Sequence, residues 1–192
     1  MQIIGNYTKE LLQDEEKASF LHFRLKVGDF RSAWKKCSVL SDCIAKLQSF
    51  SIPVNRESDL PDLVNALSTI FNELIENAIK FSSSLDDTIE VRIYSSATYI
   101  RIHVKNTLSE EKLENFKKTF GEIIQNPSSV EEKYFSRLQK NSENVAGTSS
   151  GIGLLMLLHD FPLRMAACFH EASVEVETEV DIRTYNNYGI YS

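Results

Sequence analysis

One stretch, Asp59 to Phe81, constrains this chain more than any other. Placed at about 100° per residue, Leu63, Leu67, Ile70, Leu74, Ala78 and Phe81 fall on one arc. That arc predicts a long core-facing helix, opened by Asp59 and Pro61. Glu73, Asn77 and Lys80 stand at i, i+4 and i+7 and form a polar stripe along the edge of the arc. Asn72 and Glu76 are expected to point further out, where charge costs nothing. A carboxylate, an amide and an ammonium bordering a core suit a binding site. An ordinary amphipathic helix with boundary polars has the same pattern.

The remaining elements must cover that helix. Phe20 to Val27 alternates, with Leu21, Phe23, Leu25 and Val27 on one face and His22, Arg24 and Lys26 on the other, which predicts a half-buried strand. Gly28-Asp29 breaks it and opens a helix in which Phe30, Trp34, Cys37, Leu40, Ile44 and Leu47 keep helical spacing. Residues around Pro53 and Asn55 to Ser58 connect to the long helix. Ser82 to Asp87 turns the chain into two alternating strands, Ile89 to Ile93 and Ile100 to Val104, joined as a hairpin by Ser95 to Thr98. His103 falls on the polar face and is expected to be solvated. Ser109 to Lys140 reads as helix, split at Asn126-Pro127-Ser128. A short apolar helix, Leu154 to Leu158, precedes two further strands, Arg164 to His170 and Val174 to Ile182. In the last strand Glu175, Glu177, Glu179 and Asp181 form an acidic wet face. Alternating strands have one wet and one buried face. The expectation is therefore an α/β two-layer sandwich, a mainly antiparallel mixed sheet covered on one face by helices. Its boundaries fall at 19–184, with residues 1–18 as an arm or short helix and 185–192 as a tail.

Composition narrows the function. At 192 residues and 42% hydrophobic, the chain supports one domain with a sizeable core. The net charge of −6 and the lack of a basic block interleaved with aromatics exclude a nucleic-acid role. The longest clean apolar run, Leu154 to Leu158, is far too short for a bilayer. The N-terminus lacks a signal-peptide pattern. Cys37, Cys43 and Cys168 lie in apolar patterns with no CxxC or Cys/His cluster, and read as buried thiols in a reducing compartment. A cytoplasmic protein is expected.

Three of the seven glycines, Gly147, Gly151 and Gly153, lie within seven residues, and Gly151-x-Gly153 directly precedes the short apolar helix. Glycines before a helix N-terminus let the backbone approach an anion that the helix dipole favours. Thr148, Ser149 and Ser150 add hydroxyls. No Gly-Lys-Ser/Thr follows, so this is not a P-loop, and no parallel βαβ unit surrounds it. Short glycine pairs also serve as plain turns. An asparagine amide oxygen such as that of Asn77 can hold Mg²⁺ whose other ligands are phosphate and water. Glu73 can accept a proton, and Lys80 can neutralise phosphate charge.

Glu73-Leu74-Ile75-Glu76-Asn77-Ala78-Ile79-Lys80 resembles the N-box of the GHKL ATPases, with spacing E-x-x-x-N. Ser150-Gly151-Ile152-Gly153-Leu154 is similar to their G2 box, G-x-G-L. The order of elements from Phe20 to Ile182 follows the same plan. The resemblance implies the Bergerat fold, ATP and Mg²⁺, with Glu73 as base, Asn77 on the metal, and Lys80, Thr148, Ser149, Ser150, Gly151, Gly153 and Leu154 around the nucleotide. A carboxylate four residues before the asparagine is typical of anti-sigma-factor kinases, and stand-alone chains with this box resemble those and the SiaB-like protein kinases. Such chains phosphorylate Ser or Thr on a small STAS-like partner, and a homodimer is compatible with them. One box departs from the pattern. Where the family has D-x-G-x-G for adenine, this chain has Asn106-Thr107-Leu108, so Asn106 would replace a charged acceptor with a neutral one. That departure keeps open a docking module without phosphate transfer. Chance matches on an unrelated α/β domain are a third reading.

Overall fold

The computed structural model describes residues 1–6, 19–52, 60–143 and 152–186. In chain order the elements are β1 (Gln2–Ile4), β2 (Ser19–Lys26), α1 (Val27–Arg31), α2 (Lys35–Ser49), α3 (Leu60–Phe81), β3 (Thr88–Ser95) and β4 (Tyr99–Thr107). Then come α4 (Glu110–Ile124), a 3₁₀ turn at Pro127–Ser129, α5 (Val130–Glu143), α6 (Ile152–Asp160), β5 (Leu163–Phe169), β6 (Ser173–Asp181) and α7 (Arg183–Asn186). The six strands form one sheet in the order β1-β5-β6-β4-β3-β2, and every pairing is antiparallel. The expected two-layer α/β architecture is present, with the sheet antiparallel throughout rather than mixed. Gln2–Ile4 pairs with β5, so the first residues belong to the sheet and not to an arm. Gly5 turns the chain out of β1 at φ +81°, where a Cβ would meet the Met165 carbonyl.

The core lies between the sheet and the helices. Ile89, Val91, Ile93, Ile100, Ile102 and Val104 of the β3–β4 hairpin face α3 and its neighbours. The arc read from the sequence is buried, and so are Phe71, Ile75 and Ile79 on the adjacent side of α3. The extra burial arises because α2 packs along that second side, so α3 sits between a sheet and a helix. Gly28 passes against the turn before β3. Its N–H donates to the Leu85 carbonyl at 2.8 Å, the same oxygen that a Cβ there would approach to 3.0 Å.

Three expectations need correction. The helix read as continuous from Phe30 to Leu47 breaks at residues 32–34, which shifts the phase of the second piece. The buried face of α2 is Cys37, Ser41, Ile44, Ala45 and Gln48, and Trp34 and Leu47 are exposed. Gln48 accepts a hydrogen bond from Ser95 Oγ, which explains a glutamine in that face. Cys43 is exposed on the outer arc of α2, whereas Cys37 and Cys168 are buried. Burial, reinforced by Glu76, raises the Cys37 thiol to about 11.

The third correction concerns the sheet's polar face. His103 is only 1% exposed, and Glu175 and Glu177 are also buried. Strand β6 is not an edge. It runs between β5 and β4, so its glutamates face basic groups across both ladders. Glu179 stands opposite Arg101 and Arg164, and Glu177 opposite His103. Arg101 donates to Glu179 through Nε at 3.1 Å and through its terminal nitrogen at 2.6 Å, and Arg164 donates to the same carboxylate. Glu175 meets His103 Nδ1 at 2.9 Å and receives a bond from Arg92. The acid face is a paired lattice rather than a solvated edge.

Candidate functional site

The polar stripe of α3 faces the N-terminal end of α6. A Cβ built on Gly153 would overlap Glu73 Oε2, would lie 3.1 Å from Glu73 Cδ and would lie 3.5 Å from Asn77 Nδ2. Only glycine fits there while the Glu73 carboxylate holds its position. Two motifs far apart in sequence therefore meet, the E-x-x-x-N stripe and the glycine that opens α6. Leu154, the next residue, is buried and lines one cavity together with Leu74, Asn77, Ala78, Phe81 and Asn106. Phe116 of α4 forms part of the opposite wall.

The electrostatics of this end are unsettled in a specific way. Burial raises the Glu73 carboxyl above the ordinary carboxylate range, Glu76 pushes it further up, and Lys80 opposes them. Asn77 Nδ2 is buried and has no hydrogen-bond partner among the described residues. Asn72 Oδ1 shares that condition, although its Nδ2 donates to Glu76 Oε1 at 3.0 Å. Asn72 and Glu76 were expected to stand clear in solvent. Both are half-buried, and Glu76 acts on Glu73 and on Cys37. Lys80 Nζ lies 5.5 Å from the centroid of the Phe81 ring.

Asn106 sits where the strand pattern puts it, on the helix-facing side of β4 after Ile102 and Val104. Its amide is engaged. Nδ2 donates to the Ala78 carbonyl at 3.1 Å and lies 3.4 Å from Ser82 Oγ. Ser82 Oγ donates to the same Ala78 carbonyl at 2.7 Å, and Lys112 Nζ reaches the Phe81 and Ser82 carbonyls at 3.4 and 3.3 Å. Lys112 thus reaches the carbonyls left open at the end of α3, while the Ala78 carbonyl, already bonded by the Ser82 N–H at 3.1 Å, gathers further donors. Asn106 ties β4 to the last turn of α3 as well as walling the cavity. Ser82 and Lys112 escaped the sequence reading. Ser82 could have been found from the need to cap α3, but nothing local marks Lys112.

The site residues thus divide into three groups. Glu73, Asn77, Gly153 and Leu154 come together, with Lys80 adding its charge to Glu73. Asn106 lines the same cavity but spends its donor on α3. Thr148, Ser149, Ser150 and Gly151 lie outside the described residues.

The Asn77 end of the cavity presents an open hydrogen-bond donor. An orphaned amide and a glycine without space for a side chain stand at the opening of a nine-residue helix. The base end is closed down. The cavity beneath Asn106 holds about 30 Å³, room for about one water molecule. Among the described residues no group of three or more His, Cys, Asp or Glu could hold a metal on its own. Likewise none of their helices is long and apolar enough to cross a membrane.

No family model and no curated protein matches the chain. Among solved structures it is similar to the nucleotide-free catalytic domain of the histidine kinase ThkA. That match has 15% identity and a TM-score of 0.37, and it covers 85% of this chain and 97% of that one. A likeness this loose shows neither a family nor an activity.

Proposed function

We propose that the chain is a GHKL-type ATP-binding domain that uses Mg²⁺ and transfers phosphate to a Ser or Thr of a small regulatory partner, STAS-like in kind. The observation that carries this reading is the convergence of Glu73 and Asn77 on Gly153, which joins two motifs that sequence alone could only place in order. The Asn77 side-chain oxygen would hold the metal. The backbone at Gly153 would accept phosphate oxygens once the Glu73 carboxylate swings aside. When bound, ATP supplies the phosphoryl group.

Glu73 takes the proton of the incoming hydroxyl. Its carboxyl is raised above the ordinary carboxylate range by burial and by Glu76, which makes its anion a stronger base than a solvated carboxylate. Lys80 opposes that shift. General-base catalysis of this kind contributes about 10²–10⁴ in rate.

Calorimetry with ATP and ADP, with and without Mg²⁺, tests the binding. Wild type should bind ATP in the micromolar range or weaker, with Mg²⁺ improving it. Asn77→Ala should remove the metal dependence, and wild-type binding by that variant would refute the assignment. Single-turnover transfer should be lost in Glu73→Gln, while ATP still binds.

A second reading, a docking module on the same fold that transfers nothing, is favoured by one observation. The cavity beside Asn106 holds only about 30 Å³, too little for a base without side-chain movement. Wild type that binds ATP yet neither transfers nor hydrolyses would select it.

A further inference from the structure

Helix α2 is anchored from one side. Cys37, Ser41, Ile44, Ala45 and Gln48 face inward, and Asp42 accepts a bond from Ser68 of α3. The opposite arc carries Val39, Cys43, Leu47 and Phe50 at i, i+4, i+8 and i+11. All four are exposed, Val39 at 54%, Leu47 at 52% and Phe50 at 87%. Phe50 caps the helix in helical backbone geometry, so it extends the same stripe. A continuous apolar stripe on a helix whose other face is already filled marks an interaction surface more strongly than scattered exposed apolar residues do.

The charges beside the stripe specify its occupant. Lys35, Lys36 and Lys46 lie within the same arc and are exposed. Among the described residues none of the three has a carboxylate partner, and Lys36 donates to the Asp29 carbonyl instead. No acidic residue falls within the arc. On a chain of net charge −6 this is a local reversal of sign. We infer that the outer face of α2 docks an amphipathic helical segment of another protein, one with apolar anchors at helical spacing flanked by Asp or Glu. A second copy fits poorly, because a two-fold contact along the stripe would set lysines beside lysines. An anionic membrane fits poorly too, since the rest of the chain is repelled by it. The inference does not depend on nucleotide binding.

The test uses a synthetic helical peptide with leucines on one face and glutamates on the other, and an isomer with lysines replacing the glutamates. Fluorescence anisotropy should give micromolar affinity for the acidic peptide, weakening with salt, and at least about tenfold weaker binding of the basic one. Leu47→Asp with Phe50→Asp should lose at least about tenfold. Both sites are on the surface, and unchanged circular dichroism and melting confirm that the variant folds. Cys43 provides an independent reading, because bound acidic peptide should slow its alkylation while Cys37 and Cys168 stay unreactive. Equal affinity for the two peptides would overturn the inference, as would binding that ignores the Asp substitutions or an alkylation rate that does not change. It would also be overturned if the free chain sediments as a dimer that Leu47→Asp dissociates, or if phosphatidylserine vesicles bind in place of the peptide.

Discussion

The two faces of the sheet treat their glutamates in opposite ways. On the outer face Glu179 is partly desolvated, which alone would raise its carboxyl, but hydrogen bonds and charge from Arg101 and Arg164 hold it below the ordinary range. On the helix side Glu73 is desolvated without a hydrogen-bonded cation, and its carboxyl is raised. The outer lattice pairs its carboxylates with basic groups across four neighbouring strands. The helix side leaves Asn77 Nδ2 and Asn72 Oδ1 without partners among the described residues. Buried polar groups are expensive unless they are paired. Asn77 lines the cavity, so its open donor stands where a ligand can complete it. What separates the two glutamates is the hydrogen-bonded cation that Glu179 has and Glu73 lacks.

The largest effect should come from breaking the paired region. Arg101→Met removes the inner cation from Glu179 and should cost on the order of 3 kcal/mol, read as a lowered urea midpoint at pH 7. Nucleotide binding by the remaining folded protein should not change. If ATP affinity falls with the midpoint, the two faces are not independent.

Gly153→Ala breaks the open region. Its Cβ would overlap the Glu73 carboxylate, the end of a flexible side chain that must turn aside, so the cost is about 1 kcal/mol. Combining it with Glu73→Ala should recover most of that loss. Lack of recovery in the double-mutant cycle would mean that the contact is not what restricts residue 153 to glycine.

Asn106→Asp sharpens the comparison at the border between the two kinds of polar group. The sequence invites the idea that it restores an adenine acceptor. In the structure it would replace a donor to the Ala78 carbonyl with a second acceptor, and should cost about 1–3 kcal/mol. Thermal melting measures this, and a stabilised variant would show that the amide is not needed to tie β4 to α3.

The smallest effect is in pH dependence, where the two carboxyls should have opposite signs. The lowered value of Glu179 gives stability that is present above the ordinary carboxylate pKa of about 4.3 and is lost as pH falls through its folded value. The raised value of Glu73 works the other way. Its contribution is full below about 4.3 and is lost as pH rises through its folded value. Glu73→Gln should therefore raise the melting temperature at pH 7 and change it little at pH 4, whereas Glu179→Gln should lower it at pH 7. The same sign for both variants at pH 7 would erase the distinction.

Local pattern determined much of this protein on its own. Helical periodicity marked α3 and its stripe, alternation marked four of the six strands described, and glycine spacing marked the start of α6. These follow from periods of 3.6 and 2, which a sequence displays directly. Strand order is not a local property, and it decided the rest. Because β6 lies between β5 and β4, a glutamate row that reads as a wet edge is buried among arginines and His103. Because α2 packs on α3 through Cys37, Ser41, Ile44, Ala45 and Gln48, Leu47 turns outward. Because α6 meets α3 end-on, Glu73 and Gly153 share a space that spacing alone could not have brought together. The sequence sets which face a side chain takes on its own element, while the packing of elements distant in the chain sets what that face meets, and with it whether a charge is paired or left for a ligand.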